Sequence, residues 1–158
     1  MGLMTAISLV IWVIEAQIPP PVPIPGVKLG LASVVTLSAM LLLGRKEALA
    51  VLLVRVFLSS VFAGNMGAIL FSLTGGLLSW AVMALTVKRF PDKLLWVVSV
   101  FGALAHNAGQ LLAAIFVTKT PSLLAYAPAL VIAAILTGAF TGVIAMLQHR
   151  ALRSYIRF

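Results

Sequence analysis

Residues 128–147 read PALVIAAILTGAFTGVIAML, twenty positions without one charged side chain. At about 1.5 Å of rise per residue, such a run forms a helix of about 30 Å, the thickness of a bilayer's hydrocarbon core. Within it Ala134, Gly138 and Gly142 recur at spacing four, which lets a second helix approach its backbone closely. The segment therefore reads as a transmembrane helix packed on a neighbour.

The rest of the chain repeats this pattern. Of its 158 residues 63% are hydrophobic and 9% charged, and the mean hydropathy is +1.20. A water-soluble domain carries roughly 25% charged residues, so a soluble globule is excluded. Apolar runs between charges and prolines predict helices over Gly2–Ile18, Val27–Leu43, Glu47–Ala63, Gly67–Val87, Leu94–Val117 and Pro128–Leu147. Pro19, Pro20, Pro21, Pro23 and Pro25 lack backbone donors and give an extended segment after helix 1. Pro91 with Asp92, and Pro121 with Pro128, bound the last two helices. Helix 1 has no basic leader and no small-residue cleavage site, so it reads as a retained span rather than a cleaved signal. The expectation is an all-α integral membrane protein, one six-transmembrane-helix bundle over residues 1–158.

Positive charge sets the expected orientation, because cytoplasmic loops retain lysine and arginine. In a six-span arrangement Arg45, Lys46, Lys88, Arg89, Lys93, Arg150, Arg153 and Arg157 fall on one side, and Lys28 and Lys119 on the other. Both termini are therefore expected in the cytoplasm and the proline-rich loop outside.

Composition also bounds the chemistry. The net charge of +8 sits at the ends of apolar runs rather than on an amphipathic face, which argues against nucleic acid. With no cysteine, there are no disulfides, thiolate nucleophiles or iron–sulfur ligands. Two histidines and three acids leave little for a metal site. No glycine-rich Walker loop occurs, so active transport would need a separate motor. Prenyl-chain synthesis holds magnesium with clustered aspartates, and this chain has only Asp92. No catalytic residues and no cofactor are expected.

Six helices in lipid leave a few polar groups at depth. Counting from the cytoplasmic ends, Arg55 lies roughly 12 Å deep, Glu15 and His106 roughly 18 Å, and Gln110 roughly 24 Å. Asn107 lies slightly deeper than His106, and Lys28 and Asn65 at the outer rim. A buried arginine costs several kcal/mol unless paired, so Arg55 needs Glu15, a water-filled cavity or an anionic ligand. Gln110 lies four residues from His106 and three from Asn107, so the three read as one arc of helix 5, serving either interhelical hydrogen bonds or a ligand. His149, beside Arg150, reads as interfacial. The spacing of Gly2 and Ala6 marks helix 1 as a surface where a second membrane protein could dock, whereas that of Ala105 and Gly109 points to internal packing.

These residues carry a resemblance. Pro-Ile-Pro-Gly-Val-Lys-Leu-Gly-Leu-Ala-Ser-Val-Val-Thr-Leu at 23–37, Leu-Leu-Gly at 42–44, Arg55-Val56, Leu-Thr-Gly-Gly-Leu-Leu-Ser at 73–79 and Gly-Ala-Leu-Ala-His-Asn-Ala-Gly-Gln at 102–110 resemble the bacterial family labelled heptaprenyl diphosphate synthase component I or Gx transporter. One departure is Ala32-Ser33, where family members often have Ala-Asn. The helix 2 opening is also similar to that of the S components of energy-coupling factor transporters, six-helix proteins of the bacterial cytoplasmic membrane. That likeness implies a substrate pocket in the outer half, a coupling membrane protein docked at Gly2 and Ala6, and cytoplasmic ATPases. The expected function is thus capture of a small molecule (a vitamin, flavin, quinone or isoprenoid precursor) by Glu15, Lys28, Arg55, Asn65, His106, Asn107 and Gln110. The alternatives are an accessory subunit of an isoprenoid or quinone enzyme, and acid–base catalysis by His106.

Overall fold

The computed structural model describes residues 1–18, 30–64 and 67–156. Among the described residues six α-helices run in chain order: α1 (Gly2–Ala16), α2 (Ser33–Leu42), α3 (Arg45–Ala63), α4 (Gly67–Thr86), α5 (Leu95–Thr118) and α6 (Ala127–Ile156). Short 3-10 turns at Asp92–Leu94 and Pro121–Tyr126 lead into α5 and α6. Pro91 and Pro121 stand at their starts, where a missing N–H costs nothing. No strand occurs among the described residues.

Helix α2 is the centre of the packing. Every residue from Ser33 to Met40 is buried, and α2 touches each of the other five helices. A helix without a charged side chain, mostly apolar on every face, suits such a position. Val34, Val35, Leu37 and Met40 meet Ala48 and Val51 of α3, Met83 and Ala84 of α4, Val98 of α5 and Ala145 of α6 in one core.

Its start differs from the expected one. Helix 2 was expected from Val27, but Gly30 has φ +77 and Leu31–Ala32 form a turn, so the helix begins at Ser33. The left-handed backbone at Gly30 comes readily only to glycine and turns its N–H away from the helix, onto Glu15 Oε1. The proline run, Lys28 and Asn65 lie outside the described residues. At the other end α6 continues past Leu147, because Gln148, His149 and Arg150 are compatible with helix once the chain leaves the apolar run.

Backbone-to-backbone approach of α4, α5 and α6 explains the spaced small residues. A Cβ on Gly142 would lie 2.5 Å from Trp96 Cα, and one on Gly138 2.6 Å from Val100 Cα. A Cβ on Gly109 would lie 2.9 Å from Gly75 Cα. Hydrogen bonds lock the same seam: Ser99 and Thr141 hydroxyls are 3.0 Å apart, and Asn107 Nδ2 donates to the Leu130 carbonyl at 2.9 Å.

Three helical segments, Ile69–Thr86, Asp92–Thr118 and Pro121–Ala151, are long and apolar enough to cross a membrane. Large apolar side chains point outward, Phe116 being 84% and Phe62 73% exposed. Such surface is costly in water and ordinary in lipid. The chain is a membrane protein. Helices α1 and α2 are apolar but short, with 15 and 10 residues, and α3 carries Arg45, Lys46, Glu47 and Arg55.

Candidate functional site

Polarity inside the bundle converges on one cavity. Its walls come from five helices: Trp12 and Glu15 of α1, Ser33 and Thr36 of α2, Leu52 and Arg55 of α3, Ser72, Gly76 and Ser79 of α4, His106 and Gln110 of α5, with Gly30 just before α2. Its volume is about 20 Å³. That is room for one water, or for the end of a larger molecule.

His106 is wedged between two glycines. A Cβ on Gly30 would lie 2.9 Å from His106 Cδ2, and one on Gly75 3.1 Å from His106 Cε1. The imidazole thus fills the space that side chains at both positions would need. It ties the start of α2 to the middle of α4 and α5, and lines the same cavity as the Glu15 carboxylate that holds the Gly30 N–H. Gln110, one turn on, is almost fully buried and lines the same wall, close enough that a Cβ on Gly75 would meet its Cγ at 2.9 Å.

Arg55 and Glu15 are both buried, with 7% and 5% exposure. They share the cavity but make no direct ion pair, the Asp92–His149 contact at 3.9 Å being the salt bridge found among the described residues. Arg55 Nε has no hydrogen-bond partner. Ser33 Oγ and Ser79 Oγ, from two other walls, have none either.

Of the residues singled out in the sequence, Glu15, Arg55, His106 and Gln110 therefore meet. Asn107 does not join them. Successive helical residues are rotated by about 100°, and Asn107 faces α6, where Leu130 accepts its amide. Gly2 and Ala6 lie on the exposed side of α1, and a Cβ on Gly2 would meet nothing within 4 Å. Trp12, Ser33, Thr36, Ser72 and Ser79 complete the cavity and were not foreseen. The spacing of Ser72, Gly76 and Ser79 is a small, polar helical face that could have been read as such.

The arrangement can hold a ligand by hydrogen bonds and charge. Among the described residues no group of three or more His, Asp or Glu side chains comes together to bind a metal. At the opposite, basic end, Arg45, Lys46, Glu47, Lys88, Asp92 and His149 line a second, more open cavity.

Comparison with the curated proteins and with solved structures gave no match. The profile of one family, heptaprenyl diphosphate synthase component I, matches residues 4–147, which take in α2 to α5, most of α1 and α6, and every wall of the cavity. A match over nearly the whole chain makes this protein a member of the heptaprenyl diphosphate synthase component I family.

Proposed function

We propose that this protein is the membrane-embedded substrate-binding component of a transporter of the energy-coupling factor type. The observation that carries the reading is the cavity itself. An apolar chain with three acids in all places one of them, its deepest arginine, a histidine and a glutamine around one small space. Polar groups at such depth are costly in lipid and by default mark a ligand path. Pockets that enclose a drug-sized molecule run to roughly 300 Å³ or more, so a cavity of about 20 Å³ grips one functional group of a ligand rather than surrounding all of it.

In this reading six helices cross the membrane with both termini in the cytoplasm, and the cavity opens towards the outside. Energy comes from cytoplasmic ATPases through a coupling membrane protein seated on α1 at Gly2 and Ala6. The second reading is an accessory subunit working beside a prenyl diphosphate synthase. It is favoured by the family's description as one component of such an enzyme.

Native mass spectrometry of the protein extracted in mild detergent tests both. Retention of a small molecule, lost on Arg55→Ala and His106→Ala in a chain that still folds, is the expected result, with a coupling protein and ATPases in the same complex. Unchanged ligand retention in both variants would sink the site assignment. A copurified prenyl synthase in place of the ATPases would favour the second reading.

A further inference from the structure

We infer that the cavity receives an acidic group of its ligand, of carboxylate size, with Arg55, Ser33 and Ser79 as donors. This rests on the reading of the cavity as a ligand site. Three buried polar atoms without partners line this one space, Arg55 Nε, Ser33 Oγ and Ser79 Oγ, and they come from α3, α2 and α4. Buried polar groups are nearly always satisfied, so three orphans around one cavity mark the place of a group that belongs there. A guanidinium has only donors to offer, and each hydroxyl has a proton free to donate. Several other hydroxyls in the bundle spend theirs on their own helix: Ser59 and Ser60 on the Val56 carbonyl, Thr86 on the Val82 carbonyl. Ser79, in mid-helix, has the same option and does not take it.

Charge leads to the same class. The chain has three carboxylates, and Glu47 and Asp92 line the cavity at the basic end. Only Glu15 shares the space with Arg55, and its Oε1 is held by the Gly30 N–H rather than by the guanidinium. Arginine stays charged in proteins, so it cannot escape by losing a proton. A carboxylate from outside supplies the missing acceptor, and paired arginine–carboxylate geometry is the strongest hydrogen bonding available to it. At about 20 Å³ the space is small, which suits a carboxylate better than the larger phosphoryl group.

The test uses acetate and benzoate against acetamide and benzamide, neutral compounds of the same shape. Thermal unfolding of the detergent-solubilised protein is followed by tryptophan fluorescence, with ionic strength held constant by sodium sulfate. The carboxylates should stabilise the wild type at concentrations about tenfold lower than their amides, the ratio set by one charge-assisted contact. Arg55→Gln should abolish that preference and Arg55→Lys should retain part of it. Glu15→Gln should strengthen carboxylate binding, because it removes the neighbouring negative charge while keeping an acceptor for the Gly30 N–H. A purely structural role for the two residues would not move them in opposite directions. If amides and carboxylates stabilise equally, the acidic-group inference fails and the ligand cavity stands. If neither shifts the wild type and no ligand is retained in native mass spectra, both fail.

Discussion

Replacing Arg55 by methionine removes a buried charge while keeping an unbranched chain in its place. If Arg55 were half of a structural ion pair, the change would strand Glu15 and cost about 3–5 kcal/mol. The structure gives the opposite sign. Glu15 makes no direct ion pair with the guanidinium, its Oε1 already accepts the Gly30 N–H, and Arg55 Nε is buried without a hydrogen-bond partner, so the attraction of the Glu15 charge at a distance is all that offsets its burial. In the six-span arrangement proposed above Arg55 lies in mid-membrane, where an arginine costs about 2.5–3.5 kcal/mol on insertion scales, so its removal should recover about 2 kcal/mol once lost packing of the stem is allowed for. The double variant Arg55→Met with Glu15→Gln should be at least as stable, since replacing buried charges by neutral groups of similar volume is commonly neutral or stabilising by about 1–4 kcal/mol. Unfolding in mixed micelles, titrated with a denaturing detergent and read by the fluorescence of Trp12, Trp80 and Trp96, measures both without added ligand. A loss of about 3 kcal/mol in the single variant, restored in the double, is the signature of a buried pair and would refute this account.

Two further outcomes follow from the same geometry. Gly142→Ala should cost about 1–3 kcal/mol in that assay, because the new methyl would lie 2.5 Å from Trp96 Cα and backbone cannot step aside, whereas Gly2→Ala should cost almost nothing, with open space around it; equal effects would contradict the α5–α6 packing. Asn107→Ala should cost about 1 kcal/mol by freeing the Leu130 carbonyl and leave ligand retention unchanged, and a retention loss as large as that of His106→Ala would place Asn107 in the site after all.

Much of the helix order was legible because its punctuation is chemical. Pro91 and Pro121, and the charges at Arg45, Lys46, Lys88 and Arg89, interrupt apolar runs in ways that any fold must respect. The start of α2 was not legible, since after Lys28 the segment Val27–Leu43 has no charge or proline to mark a break, and the turn at Gly30 is held by a carboxylate fifteen residues earlier. The meeting of Glu15, Arg55, His106 and Gln110 could be anticipated from the cost of polarity in lipid. The separation of Asn107 could have been read from helical rotation alone. The hydroxyls of Ser33 and Ser79 gave no signal, because serine in a membrane helix ordinarily bonds to its own backbone and only coordinates reveal that these two do not.

The central place of α2 also bears on how the protein is built into its membrane. Ten residues give a helix of about 15 Å, half of what a bilayer requires of a segment that enters on its own. Its eight consecutive buried residues find their surroundings in the other five helices, most of which are synthesised after it. The innermost helix is therefore the one least able to insert by itself, and the cavity, one of whose walls is formed by Ser33 and Thr36, comes into being only when α5 has brought His106 and Gln110 against them.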